Sequence, residues 1–136
     1  ARFDRKPGAR TPRGGSRFSL YFPVAAPVEV KSPPASDAMG RLLLAAHGSP
    51  FQPEFQASLS IAGLDGTTRK RFLRDPVAGD MHLKTGTLNG VTSIAGFVHS
   101  ESGADYAVVM VVNGPKATWG GGLDAQNALL RWVHQR

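Results

Sequence analysis

The triplet Lys84-Thr85-Gly86 brings together residue types that can do chemistry as a group. If it lies on a strand, Lys84 and Gly86 share a face, and the missing side chain of Gly86 leaves room for a ligand beside the ammonium group. Thr85 adds a hydroxyl donor, and the following backbone amides are free donors if the strand lies at a sheet edge. Such a strand can hold a carboxylate and polarise a carbonyl. Alone, the triplet also fits an exposed strand lysine beside a strand glycine.

The surrounding sequence predicts that the triplet lies in a β-hairpin. Residues Met81 to Leu88 are rich in Thr and Leu and end at Asn89-Gly90, a dipeptide that accepts the positive φ values of a two-residue turn. A second strand then runs to Val98. Farther on, Asp105 to Asn113 is a continuous β-branched run, which predicts a central strand buried on both faces.

Two helices are predicted to accompany these strands. The first runs from Ser36, which can cap it, to His47. The second begins at Asp124, after a flexible loop of Trp119 and the glycines at 120–122, and Trp132 is its predicted core anchor. The predicted inward faces are Met39, Leu42, Leu43 and Ala46 in the first helix, and Ala125, Ala128, Leu129, Trp132 and Val133 in the second. The fold class is therefore α+β, an antiparallel sheet with a C-terminal helix.

Charge and composition separate residues 1–35, called the arm here, from residues 36–136. In residues 1–31, seven Lys or Arg residues stand against two acidic ones, so this segment carries +5 of the net charge of +6. The arm is rich in Pro and Gly and is predicted to be mostly disordered, with one short strand near Phe18 to Phe22. A noncatalytic module whose arm binds nucleic acid or an anionic polymer is the alternative function, although no nucleic-acid-binding fold accompanies the charges.

Several other site types find little support in the sequence. Cysteine is absent, and the four histidines show no metal-ligand spacing, so neither a metal nor a cofactor is predicted. No apolar run approaches a membrane span, and the arm has no continuous apolar core of the kind that a signal peptide needs. Asp65 before Gly66 is interpreted as a structural turn residue, and the basic run Arg69 to Arg71 as a solvated face or a contact with anionic cell-wall polymer.

Four blocks in a fixed order identify a family resemblance. They are Ser58 to Thr67, His82 to Leu88, Val91, and Ser93 to Val98. Together they resemble the C-terminal part of the class C penicillin-binding proteins, the serine D-alanyl-D-alanine carboxypeptidases/endopeptidases of bacterial cell-wall metabolism. The resemblance covers roughly Ser36 to Arg136 and implies part of a penicillin-binding protein or serine β-lactamase-like domain.

The resemblance also implies a site and a substrate. Enzymes of this kind acylate the serine of a Ser-x-x-Lys motif, use a Ser-x-Asn motif for proton transfer, and bind the substrate carboxylate on a Lys-Thr-Gly strand. By analogy, Lys84 is catalytic, and Lys84, Thr85, Gly86 and Thr87 bind the substrate. Lys84 and Thr85 bind its carboxylate and tune the proton chemistry, and the Thr87 amide is an oxyanion-hole donor. The implied partners are peptidoglycan stem peptides ending in D-Ala-D-Ala, with β-lactams as substrate mimics. The implied location is the periplasm or cell envelope.

Two of the three family motifs are absent from this chain. No serine is followed by lysine three positions later or by asparagine two positions later. Thr67 to Lys70 has the first spacing with threonine in place of serine, but it follows the Asp65-Gly66 turn and is rejected as the nucleophile. We therefore predict that the chain alone has no carboxypeptidase activity. The family also has a loop and strand region just upstream of the first helix that supplies part of the active site, and nothing in Ala1 to Glu29 matches it. Our hypothesis is that the arm comes from an altered reading frame, a wrongly assigned start or a fusion.

Overall fold

The computed structural model describes residues 18–20, 34–119 and 121–136, which form an antiparallel five-stranded sheet and three α-helices. The strands are β1 (Phe18–Leu20), β2 (Ser60–Ile61), β3 (Met81–Leu88), β4 (Val91–His99) and β5 (Asp105–Asn113). The helices are α1 (Pro34–His47), α2 (Gln52–Ala57) and α3 (Gly121–His134), with a 3₁₀ turn at Gly66–Thr68. The predicted α+β class is confirmed.

The strand order is β1-β5-β4-β3-β2, and every neighbouring pair is antiparallel. Strand β4 is in the middle, and β5, the Asp105 to Asn113 strand predicted to be central, is an interior strand between β1 and β4. Its middle is buried on both faces, as predicted, because the adjacent residues Val108 and Val109 belong to different apolar clusters. The short strand predicted near Phe18 exists as β1 and pairs with β5. The predicted disorder of the rest of the arm lies outside the described residues.

Two apolar clusters sandwich the sheet. The larger lies between the sheet and α3, and the smaller between the sheet and helices α1 and α2. The larger contains Ala62, Phe72, Val77, Met81, Leu83, Ile94, Val98, Val108, Met110, Val112, Ala117, Leu130 and Val133, and the smaller contains Leu43, Phe97, Ala107 and Val109. Because side chains alternate along β3, Met81 and Leu83 face α3, while His82 and Lys84 face the α1 side.

Helix α1 uses a different face from the predicted one. Leu43 is buried, but Met39 and Leu42 are 41% and 51% exposed. Among residues 36–47, the other buried positions are Ser36 and Gly40, and Leu44 is partly buried against the smaller cluster. Hydrophobicity alone favoured the stripe that contains Met39 and Leu42, whereas packing turned Leu43 and Leu44 toward the sheet.

Helix α3 begins earlier than predicted, but its inward face is mostly the predicted one: Ala125 and Leu129 are partly buried against the core and Val133 is buried. Gly121 and Gly122 are helical rather than part of a loop, and a Cβ on Gly122 would overlap the carbonyl oxygen of Ala117. Trp132 is also partly buried against the core, whereas Ala128, predicted to face inward, is exposed. The buried residues of α3 are Gly122, Gln126, Leu130, Val133 and His134. No helix in the described part of the chain is both long and apolar enough to cross a membrane.

Candidate functional site

The predicted hairpin is present and places the Lys-Thr-Gly triplet on β3. Strands β3 and β4 are paired from Met81 opposite Val98 to Leu88 opposite Val91, with Asn89 and Gly90 in the turn. Gly90 has a φ of 70°, which is the left-handed conformation that this turn requires. The turn and the register together fix which residues of β4 lie beside the triplet.

Strand β3 is open along one side beyond residue 83. The N–H of Ala62 donates to the Met81 carbonyl at 2.9 Å, so Met81 and every second residue after it direct their backbone groups toward β2. Strand β2 pairs only with His82 and Leu83. The N–H and C=O groups of Thr85 and Thr87 therefore point past its end, and among the described residues no strand pairs with them there.

The Lys84 side chain reaches this open edge. It starts on the α1 face of the sheet, and its Nζ donates a hydrogen bond to the Thr85 carbonyl at 2.8 Å. Lys84 is exposed, Thr85 and Gly86 are half-buried, and Thr87 is exposed. The four predicted site residues thus offer an ammonium group, a hydroxyl and outward-facing amides along one short stretch.

The Thr85 hydroxyl has a partner that sequence reasoning did not assign to the site. Its Oγ1 lies 2.8 Å from the Oγ1 of Thr67, in the 3₁₀ turn. This turn is braced by Asp65, whose Oδ1 accepts the N–H of Ile61 at 2.6 Å, in keeping with the structural role predicted for Asp65. Gly66 takes a φ of 54°, and a Cβ there would overlap the Ser60 hydroxyl. The turn is therefore held tightly beside the open edge.

Gly86 faces Ser93 across the hairpin. A Cβ at residue 86 would lie 2.5 Å from the Ser93 Oγ, which donates to the Gly86 carbonyl at 3.4 Å. The space expected to admit a ligand is therefore occupied by a serine hydroxyl. Ser93 is a site-lining residue that sequence reasoning missed, and its position directly opposite Gly86 in the hairpin register was the available signal.

The basic run Arg69 to Arg71 divides into two environments. Arg69 and Lys70 are exposed, as predicted for a solvated face, whereas Arg71 turns toward α3. Its guanidinium donates to Gln126 at 3.1 Å and to Asn127 at 2.6 Å, and burial lowers the pKa of Arg71. Arg71 therefore joins the segment that carries the 3₁₀ turn to α3, which the charge pattern did not indicate.

A cavity of about 330 Å³ lies at the other end of the hairpin. It gathers His47, His82 and His99, which are far apart in sequence, around Phe97. The Nδ1 of His82 lies 3.2 Å from the Gln56 carbonyl oxygen, and that of His99 lies 2.8 Å from an Asp105 carboxylate oxygen. Within the described ranges no three His, Cys, Asp or Glu residues are arranged to hold a metal ion.

Residues 33–136 match the D-Ala-D-Ala carboxypeptidase 3 (S13) family. The chain belongs to this family. A curated relative, penicillin-sensitive carboxypeptidase A from Dictyostelium discoideum, is 41% identical over 47 residues, which make up 35% of this chain and 9% of that protein. The family resemblance inferred from the Lys-Thr-Gly hairpin and its neighbouring blocks is thereby confirmed.

Solved structures share the fold of this S13 chain. Penicillin binding protein 4 from Haemophilus influenzae superposes with a TM-score of 0.63 at 23% identity, over 74% of this chain and 24% of that one. A predatory endopeptidase from Bdellovibrio bacteriovorus, solved with its immunity protein, gives a TM-score of 0.53 at 20% identity, over 73% and 25% of the two chains. The S13 chain therefore spans about a quarter of these structures' length and about a tenth of the curated relative's.

Proposed function

We propose that this chain is the C-terminal part of a serine-type D-Ala-D-Ala carboxypeptidase/endopeptidase that acts on peptidoglycan in the cell envelope. The observation that carries the proposal is the open edge of β3, where no strand among the described residues pairs with Thr85 and Thr87 and where the Lys84 ammonium and the Thr85 hydroxyl lie. A peptide can lie along such an edge by main-chain hydrogen bonding, and a cation with a hydroxyl beside it can bind the peptide's terminal carboxylate.

Each residue of the edge has a distinct role in this proposal. The Lys84 ammonium leaves the Thr85 carbonyl and pairs with the carboxylate of the terminal D-Ala, and Thr85 donates its hydroxyl proton to the same group. The Thr87 amide points past the end of β2 and donates to the acyl oxygen, where negative charge develops during acyl transfer. Gly86 keeps the strand close to Ser93, because a side chain there would displace the Ser93 hydroxyl. β-Lactams, whose carboxylate and carbonyl mimic this end of the peptide, would occupy the same edge.

Binding alone does not give turnover. The Ser-x-x-Lys and Ser-x-Asn motifs are absent from the sequence, so this chain supplies neither a nucleophile nor its base. The edge holds and polarises the substrate for groups that lie elsewhere. In isolation, the chain therefore binds a D-Ala-D-Ala peptide weakly and leaves it intact.

The proposal is tested by titrating the 136-residue chain with N-acetyl-D-Ala-D-Ala and following backbone amide signals by NMR. We expect the signals of Thr85 to Leu88 to move and the Lys84→Ala variant to bind at least about tenfold more weakly, since a charge-assisted hydrogen bond is lost. Lys116→Ala, which removes an exposed lysine from the loop after β5, is the matched control and should bind like the wild type. Equal affinities for the Lys84 and Lys116 variants would overturn the proposal.

A further inference from the structure

Thr67 lies outside the Lys-Thr-Gly strand but contacts the hydroxyl of Thr85, the middle residue of the triplet. The two threonine Oγ1 atoms are 2.8 Å apart, although Thr67 precedes Thr85 by 18 residues. Either oxygen can be the donor, because each hydroxyl carries one proton and accepts through its lone pairs. Thr67, which has the spacing to Lys70 of a nucleophile motif, is therefore in hydrogen-bond contact with the proposed substrate-binding strand.

We propose that Thr67 is a positioning residue that fixes the direction in which Thr85 donates its proton, an inference that rests on the proposed function. If Thr85 is to donate to a carboxylate, its own oxygen is left as an acceptor, and Thr67 is placed to donate to it. The hydroxyl of Thr67 then points to Thr85, and that of Thr85 points to the carboxylate. No proton is transferred; the bonds polarise one another in one direction.

The surroundings of Thr67 suit a positioning role because they hold its backbone in place. The next residue, Thr68, is fully buried, and its carbonyl accepts the N–H groups of Gly63 at 3.4 Å and of Phe72 at 3.3 Å. The preceding residue, Gly66, is packed against Ser60. Thr67 itself is exposed at the edge of β3. A fixed backbone with an accessible hydroxyl can set the rotamer of Thr85 without closing the strand to a peptide.

Among the described residues, no carboxylate is hydrogen-bonded to either hydroxyl, so the pair can point either way. Binding of a carboxylate selects the direction from Thr67 to Thr85. Binding of a peptide with a neutral amide terminus does not require this direction, because the amide can donate to Thr85 instead. The inference therefore predicts an effect of Thr67 on ligands with a free carboxylate and none on their amides.

The test compares N-acetyl-D-Ala-D-Ala with its C-terminal amide on the full 136-residue chain, again by NMR titration. Thr67→Val keeps the shape of the side chain and removes the hydroxyl, whereas Thr67→Ser keeps the hydroxyl. We expect Thr67→Val to weaken binding of the acid about five- to tenfold and to leave the amide unchanged, with Thr67→Ser close to the wild type. Added to Thr85→Val, the Thr67→Val change should cause no further loss, because the pair is already broken.

Equal losses for the acid and the amide would overturn the inference and leave Thr67 a merely structural residue, as would an unchanged affinity for the acid in Thr67→Val. If the wild type binds neither ligand, the proposed function fails instead. In that case, three-bond couplings that report the Thr85 χ1 angle still test whether Thr67 positions the Thr85 side chain. A Thr85 rotamer distribution that is the same in wild type and Thr67→Val would show that Thr67 does not position it.

Discussion

The carbonyl oxygen of His82 occupies the place where a side chain on Gly96 would begin. A Cβ at residue 96 would overlap that oxygen and lie 3.0 Å from the Cα of Leu83. Because these are backbone atoms of β3, they cannot rotate away as a side-chain end would. The central strand β4 thus approaches β3 closely at His82 and Leu83, the two residues immediately before Lys84.

Gly96→Ala should therefore destabilise the chain by about 2 to 4 kcal/mol, since the hairpin must spread to admit the methyl group. Gly103→Ala is the matched control, because Gly103 has a φ of 82° but a Cβ there would meet nothing within 4 Å. It should cost only about 1 kcal/mol, from the left-handed conformation. Urea unfolding measures both, and similar losses would show that the contact with β3 is unimportant.

Gly86→Ala should displace the Ser93 hydroxyl and weaken peptide binding, because the added Cβ meets Ser93 Oγ at 2.5 Å. The conflict is with a side chain, so a second substitution can relieve it. The distance from the same Cβ to the Cβ of Ser93 is 3.9 Å, an ordinary contact. Gly86→Ala combined with Ser93→Ala should therefore regain stability relative to Gly86→Ala alone. Additive losses in thermal unfolding would contradict this reason for the glycine.

The ion pair between Asp75 and Arg131 should make stability depend on pH in acid. Burial of Asp75 raises its pKa, but hydrogen bonds from Arg131 and from the Val77 N–H, with the charges of Arg131 and His134, outweigh burial and lower it. A lowered pKa in the folded chain stabilises the fold above the unfolded value of about 3.9. This stabilisation is lost as the pH falls through the lower folded pKa.

Asp75→Asn should accordingly reduce the free energy of unfolding at pH 7 and flatten its decline below about pH 4, relative to the wild type. The substitution weakens or removes two hydrogen bonds that Arg131 donates to one carboxylate oxygen of Asp75, at 2.9 and 2.7 Å. Asp124→Asn, an exposed substitution at the start of α3, serves as the control. Parallel pH profiles for the wild type and Asp75→Asn would refute the prediction.

The chain alone should not be acylated by penicillin. A fluorescent penicillin needs a serine nucleophile with its lysine, and the sequence has no Ser-x-x-Lys. We expect no covalent label on the purified chain after denaturing electrophoresis, and no D-Ala released from a D-Ala-D-Ala peptide. An active penicillin-binding protein processed in parallel verifies the reagent. A label on Thr67 would show instead that Thr67 and Lys70 act as a nucleophile with its lysine.

The hairpin could be predicted because its signals are local. Asn89-Gly90 specifies a tight turn, and the turn fixes the register that sets Gly86 opposite Ser93. The position of β5 could not be predicted in the same way. A continuous apolar strand shows that both faces are covered, but it does not show how many strands lie on either side.

The burial of Gln126 and the partner of Thr85 depended on contacts that sequence periodicity does not reveal. Gln126 is polar but fully buried in α3, where it accepts from Arg71 at 3.1 Å and lies 3.4 Å from the Thr92 hydroxyl. A hydrophobic pattern assigns such a residue to the solvent. The contact between Thr67 and Thr85 likewise arises from the folding of the segment between them, and no spacing rule indicates it.

The turn at Asn89 limits what the open edge of β3 can join. Within the described residues, the open part runs only from Thr85 to Leu88 before the chain turns back at Asn89. Segments that stack into cross-β fibrils are roughly six or seven residues long, which is more than this opening provides. The Lys84 ammonium also occupies the Thr85 carbonyl, the first acceptor that a neighbouring strand would use. The edge is thus long enough for the end of a peptide and too short to template the self-association of this hairpin.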